Sequence, residues 1–310
     1  MWFKNLCLYR FYKPLTQSVE QIQEDLQKHK FRPCGKLEMF SYGLISPVDK
    51  KHDELFKSID GYLMVCAQKE EKVLPASVVR EYVDEKVQEI EDTQMRKVRK
   101  KEKEEIREEV LHDLTTKAFT KTSKVYAYFD LKNNWLIVDS ASRNKAEELT
   151  VLLRNCLGSL PVEPPKTHTL TSNILTSWMT ENPPPADFSI ENECELRDLE
   201  SDGGIIRCKN IDLTSTEITN HLEAGKSCTR LALNWDEKFS FLLCDDLSVK
   251  RIKYDDLVLD QAEQSDDESV EAQFDADFSI MAMEISNFLP RLMEIHGGAI
   301  EKDSGLGNSQ

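Results

Sequence analysis

Glycine is scarce, at 11 of 310 residues, and neither a G-x-x-x-x-G-K-[ST] loop nor a G-x-G-x-x-G turn occurs. Backbone cradles for nucleotide phosphates depend on such glycines, so nucleotide hydrolysis is not expected. There is no G-x-S-x-G elbow and no H-E-x-x-H pair, which removes the commonest serine-hydrolase and zinc-protease signatures. The eight cysteines form no C-x-x-C pair. Scattered through apolar stretches such as Leu242-Leu243-Cys244, they read as buried free thiols of a reducing compartment. No apolar run approaches the roughly 18 residues a membrane helix needs, and mean hydropathy is −0.50. The opening Met1-Trp2-Phe3-Lys4-Asn5-Leu6-Cys7 is broken by charge and lacks a small-residue cleavage site, so it reads as a strand rather than a signal peptide. The protein is expected to be soluble and cytoplasmic.

Acid outweighs base, 56 against 40, giving a net charge of −16. Taken as an average, that disfavours a phosphate-rich partner. The distribution is uneven, however. Residues 255–303 hold 14 acids and 2 bases, and residues 181–202 hold 8 acids and one base, Arg197. What remains carries a small positive excess. Within it, Arg96, Lys97, Arg99, Lys100, Lys101 and Lys103 form a dense basic run. Such a run is either a solvated helix face, neutralised by the acids that follow it, or a phosphate-contacting stripe.

Alternation and punctuation predict an α+β fold with mixed or antiparallel sheets. Strands are expected at residues 2–11, 39–45, 62–67, 125–131 and 135–139, the last two forming a hairpin around Asn133-Asn134. Helices are expected at 18–28, with Val19, Ile22 and Leu26 on one face, and at 144–156, ending at Gly158. From Ala76 to Leu114 there is neither Gly nor Pro. A continuous helix there spans roughly 50 Å, with a possible break at Asp92-Thr93. Its polar middle predicts a projecting arm or hairpin, which gives the basic run something to touch.

Pro161-Val162-Glu163-Pro164-Pro165 marks a boundary and Pro183-Pro184-Pro185 a second connector. The organisation expected is a body of residues 1–74 and 124–162, an arm at 75–123, a linker at 163–202, a second α+β domain at 203–297 and a disordered tail at 298–310. In that second domain, Gly204–Cys208 reads as a strand and Thr214-Ser215-Thr216-Glu217 as a capping box opening a helix that stops at Gly225. A meander of 228–235, 239–244 and 249–254 follows. The acidic 255–277 stretch then leads into a terminal apolar helix.

The six histidines are isolated, and His221 beside Glu223 reads as a helix-end residue. Asp245-Asp246 and Asp255-Asp256 have the chemistry to chelate magnesium as nuclease carboxylates do. Acid pairs are equally common in turns. No cofactor or metal is expected.

Several stretches in fixed order resemble the RdgC family, bacterial recombination-associated proteins. They are Trp2-Phe3-Lys4-Asn5-Leu6, Pro33-Cys34-Gly35, Lys69-Glu70-Glu71-Lys72-Val73-Leu74-Pro75, Glu109-Val110-Leu111-His112 and Leu157-Gly158-Ser159-Leu160-Pro161-Val162. Leu213-Thr214-Ser215, Glu217-Ile218-Thr219-Asn220-His221, Glu223-Ala224-Gly225-Lys226 and Phe274-Asp275-Ala276-Asp277-Phe278 complete the series. The resemblance implies a nucleoid-associated, non-enzymatic protein that binds double- and single-stranded DNA with little sequence preference. It further implies a ring-shaped homodimer encircling duplex DNA and restraining RecA-promoted strand exchange. By the same resemblance Phe119, within Lys117-Ala118-Phe119-Thr120-Lys121, corresponds to a fingertip aromatic that closes the dimer. Lys117 and Lys121 stand where relatives often carry Arg, which keeps charge but not bidentate geometry. The first phosphate-contact candidates are Arg96, Lys97, Arg99, Lys100, Lys101 and Lys103, joined by Lys117 and Lys121. Lys209, Lys226 and Arg230 come second. The competing readings are a magnesium-dependent nuclease using Asp245 and Asp246, and a protein-interaction scaffold.

Overall fold

The computed structural model describes residues 1–15, 17–49, 52–199, 203–263 and 269–300. The first half contains β1 (Asn5–Phe11), α1 (Val19–Gln27), β2 (Phe40–Ile45), β3 (Phe56–Ile59), β4 (Tyr62–Lys72), α2 (Ala76–Gln94), α3 (Lys100–Lys117), β5 (Thr120–Asp130), β6 (Trp135–Asp139) and α4 (Arg143–Leu157). The second contains β7 (Val162–Glu163), α5 (Thr171–Thr180), β8 (Phe188–Arg197), β9 (Ile205–Lys209), α6 (Thr216–Glu223), β10 (Ser227–Trp235), β11 (Phe239–Cys244), β12 (Val249–Tyr254), α7 (Asp256–Glu263) and α8 (Val270–Ile295). The fold is α+β, as expected, and its strands pair antiparallel throughout one twelve-stranded sheet.

Local chemistry sets most element ends. Ser18 accepts from the Gln21 amide while the Gln21 side chain accepts from the Ser18 amide, a reciprocal cap that starts α1. Gly158, with φ of 69°, closes α4 in the left-handed region that a Cβ disfavours. Four expectations need correction. The break within 76–114 falls at Met95, which turns left-handed (φ 51°), and not at Asp92-Thr93; as the hairpin reading has it, α2 and α3 pack side by side through Val79, Val83, Ile106 and Val110. The cap of α6 is Ser215 without a side-chain bond, because Asp212 already holds the Thr214 amide and hydroxyl. The segment taken as a linker carries α5 and β8, and β8 lies inside the sheet. The expected tail should not have included residues 299 and 300, since Ala299 bridges Thr167 and the Ile300 amide donates to the Lys166 carbonyl. The rest of that tail, 301–310, and the acidic 264–268 lie outside the described residues.

The sheet order is β2-β4-β5-β6-β1-β12-β11-β10-β8-β9, with β3 on β4 and β7 on β1. β1 joins the halves. Its start pairs with β12, Leu6 opposite Val249, and its end with β6, Cys7 opposite Val138. On one face α8 lies across both halves. Phe278 meets the Tyr62 and Tyr128 rings at 6.2 and 5.7 Å, while Phe288 meets Trp235, Phe239 and Phe241 at 5.1–5.3 Å. A single apolar cluster therefore runs from Phe3 through Met64 to Leu243 and Met293. On the opposite face, α1 and α4 cover only the first half, burying Ile22, Leu26, Leu149 and Leu153 against Tyr9, Val65 and Phe129. On the second half of that face, Ala232, Leu242 and Cys244 form a small buried apolar cluster to which, among the described residues, no helix contributes. All eight cysteines are free thiols, seven of them buried. Burial pushes Cys66 up to about 12, which keeps it unreactive.

His296 ties α8 to α5. Its ring is fully buried, with Nδ1 donating to the Leu292 carbonyl at 2.6 Å and Nε2 accepting from the Thr171 hydroxyl at 3.1 Å. Burial holds its pKa below the ordinary 6.5, opposed in part by the Leu292 bond. The unfolded chain therefore takes up a proton that the folded chain resists. Stability should be complete above the ordinary value and decline as pH falls below it. Urea midpoints between about pH 8 and about pH 5 should show this decline, and His296→Gln should flatten it.

Candidate nucleic-acid interface

The turn between α2 and α3 is largely self-neutralised. Arg96 forms a bidentate pair with Glu102 (2.5 and 2.7 Å), Lys97 pairs with Glu91 at 2.6 Å, and Lys103 pairs with Asp84 at 2.7 Å. Glu91 also accepts from the Val98 amide at 2.9 Å, which fixes the turn. Among the described residues only Arg99, Lys100 and Lys101 of the run remain exposed and outside any ion pair. The pairing foreseen within one helix is here carried by contacts six residues apart or across the two helices.

Lys117 is exposed in the last turn of α3, and Lys121 is exposed on β5 opposite Glu71. Phe119, 87% exposed, stands between them at the junction of α3 and β5, where its carbonyl accepts from the Val73 amide. The turn joining the helices is Met95–Arg99 instead, so Phe119 marks the far end of the β4–β5 ribbon rather than the helical tip. Exposed Met39, Phe40 and Val73 lie along the same ribbon end.

The open face of the second half is the larger basic surface. Alternation puts Leu196, Cys208, Leu231, Leu243 and Val249 into the shared core. Their neighbours face the opposite way: Arg207 and Lys209 on β9, Arg197 on β8, Arg230 on β10, and Lys250 and Lys253 on β12. Arg251 leaves the alternation at a left-handed backbone (φ 55°) and reaches across β11 and β10 to Glu193 on β8, at 2.7 and 3.2 Å. Lys226 sits in the turn before β10, its amide bonded to the His221 carbonyl, one residue before Ser227 pairs with Arg197.

At the centre of this face is Glu195, whose side chain is only 4% exposed. It lies opposite Arg230 on one side and Arg207 on the other. Arg207 Nε donates to Oε2 at 2.8 Å, Arg197 Nη2 to Oε1 at 3.1 Å, and Arg230 Nη1 is 3.3 Å from Oε2. Burial raises its pKa, but Arg207, Arg230 and Arg197 together hold the carboxyl below its ordinary value. One carboxylate thus gathers three guanidinium groups, leaving two positive charges in excess. Lys209, Lys226 and Arg230 are brought to this region, far from the 96–103 run in sequence. Arg197, Arg207, Lys250, Arg251 and Lys253 belong to it as well; the basic residues beside apolar Val249, Ile252 and Tyr254 were the signal for Lys250 and Lys253.

Asp245 and Asp246 occupy the β11–β12 turn. Asp246 accepts from the Ser248 amide at 3.0 Å and hydroxyl at 2.5 Å, bonds that outweigh its burial and lower its pKa. Burial and the neighbouring Asp246 raise Asp245. Asp255 accepts from the Leu257 amide, and Asp256 is the first residue of α7. Among the described residues no cluster of three or more His, Cys, Asp or Glu side chains has metal-binding geometry. Nor is any helix among them long and apolar enough to cross a membrane.

The family model described as "Putative exonuclease, RdgC" matches residues 1–299. The chain belongs to the RdgC family. Recombination-associated protein RdgC of Tolumonas auensis is 43% identical over 298 residues, covering 96% of this chain and 99% of the relative. The same-named proteins of Aeromonas hydrophila and Pseudomonas fluorescens are each 43% identical, with 96% of this chain and 98% of the relative covered. Within this RdgC chain the family match thus spans the whole sheet, the helical hairpin and the basic face.

Proposed function

We propose that this chain is a non-enzymatic, nucleoid-associated DNA-binding protein that acts in recombination by encircling duplex DNA as a ring-shaped homodimer. The observation that carries this reading is the face of β9, β8, β10 and β12, where lysines and arginines from four strands stand with no helix of the described residues over them. A flat, cationic sheet face with no recognition helix suits phosphate contacts rather than base readout, so binding to single and double strands alike follows from counterion release. Screening confines the fields of the acidic stretches to about 8–10 Å.

The α2–α3 pair, with its own small core, serves as the projecting arm. Phe119 and the apolar side chains beside it at the ribbon end supply the contact with a second copy. DNA held inside such a ring is withheld from RecA, which restrains strand exchange. The turn bonds of Asp246 fit a structural role better than metal chelation, so the duplex is bound without being cut.

Affinity for linear and covalently closed circular duplex, titrated against salt, tests this. Binding should fall steeply with salt, linear duplex should load faster, and Phe119→Ala should weaken both binding and self-association without lowering monomer stability. Salt-insensitive or absent binding would overturn it in favour of a protein scaffold. Magnesium-dependent nicking that Asp245→Asn abolishes would overturn it in favour of a nuclease.

A further inference from the structure

We propose that Glu195 is a positioning residue for DNA phosphate: a buried carboxylate that holds Arg197, Arg207 and Arg230 in one plane so that their remaining N–H groups meet a phosphodiester together. The inference rests on the DNA-binding reading above and adds an acidic residue to a surface that charge alone would describe as purely basic.

The geometry assigns each guanidinium a single short contact to Glu195, through Nε of Arg207, Nη2 of Arg197 and Nη1 of Arg230. Each fork therefore keeps donors for a second acceptor. The arginine side chains are 37–68% exposed while Glu195 is 4% exposed, so the carboxylate lies beneath them and away from the ligand. Thr229 fixes it further, its hydroxyl lying 3.3 Å from the Glu195 carbonyl and 3.4 Å from Oε1. Arg197 Nε is buried without a hydrogen-bond partner in the described structure, a donor group left unsatisfied at the centre of the cluster. Asp245 also lies close enough to Arg197 and Arg230 to feel both charges. Three arginines from three strands would repel one another if unsupported. One shared carboxylate removes that repulsion and fixes their orientation before the ligand arrives, which lowers the ordering cost of binding.

The positioning role and a bare charge count predict opposite results for Glu195→Gln. Adding one positive charge should tighten DNA binding if only net charge matters. Loss of a shared acceptor should instead weaken binding about tenfold and flatten the slope of log affinity against log salt by about 2. The double variant Glu195→Gln with Arg230→Gln has the wild-type net charge and less internal repulsion, so it keeps the test open if the single variant fails to fold. It too should bind more weakly, whereas Glu195→Asp should stay within about twofold of wild type. Binding to a short duplex is read by fluorescence anisotropy, with circular dichroism as the control for folding. Unchanged or tighter binding in both the single and double variants overturns the positioning role while leaving DNA binding intact. Absence of salt-dependent binding by the wild-type protein overturns the underlying function instead.

Discussion

Replacing Phe288 with alanine is expected to lower stability by about 3–5 kcal/mol. The side chain has no solvent exposure, and its ring contacts Trp235, Phe239 and Phe241 edge-on at 5.1–5.3 Å, with Phe188 at 6.4 Å. Removing it opens a cavity where α8 presses on β8, β10 and β11, and also forfeits the edge-to-face ring contacts. The effect should not stay local. Seven residues earlier on the same helix face, Met281 accepts the Phe3 amide through its sulfur, and Phe278 sits on Tyr62 and Tyr128 of the first half. Urea unfolding followed by far-ultraviolet dichroism and by tryptophan fluorescence should therefore give one coincident transition, shifted to lower urea. Two separated transitions, or a loss under about 1 kcal/mol, would contradict a core shared through α8.

Converting Lys209, Lys250 and Lys253 to glutamine should weaken DNA binding by at least about tenfold near physiological salt and flatten the salt slope by about 3. These three lie on the open sheet face and are not engaged by Glu195. Arg99, Lys100 and Lys101, converted together, should have a smaller effect, since they sit at a turn whose other cations are already matched by Glu91, Glu102 and Asp84. Arg96, Lys97 and Lys103 should matter least of all: removing them uncovers three carboxylates but subtracts few free charges. The comparison of the three variants over one salt series places the DNA. A turn variant that loses as much as the sheet variant would move the path of the duplex onto the helical hairpin.

Local patterning made much of the fold legible. β11 and β12 match their expected bounds, and β10 begins one residue early, because Leu231 and Leu233 alternate with Arg230, Ala232 and Asn234, and Phe239 and Phe241 flank Ser240. β8 was hidden for a physical reason. Its first half, Phe188-Ser189-Ile190-Glu191-Asn192, is polar enough to pass for a connector, and only pairing with β10 holds it in the sheet. The break at Met95 carries no Gly or Pro to announce it; Glu91 gripping Lys97 and the Val98 amide makes the turn. The basic surface was misweighted in the same way. Six bases in eight residues stand out along a chain, yet their neutralising partners meet them only through the turn at Met95 and across the two helices. The open face draws its charges from residues 197 to 253, and they meet only because the order β12-β11-β10-β8-β9 brings them together. Arg197 looked like a lone base in an acidic window, and Glu195 like part of that window.

The placement of β1 bears on the order in which the protein is made. Leu6 leaves the ribosome far ahead of its partner Val249 and of the α8 side chains that cover Phe3. At translation rates of about 5–20 residues per second, that delay is roughly 10–50 s. Through it, the faces of Phe3, Tyr62, Met64 and Tyr128 that α8 will cover stay bare. The first half cannot finish folding as an early, independent unit. Its completion waits for α8, so the nascent chain stays exposed to aggregation and proteolysis until that helix has been made.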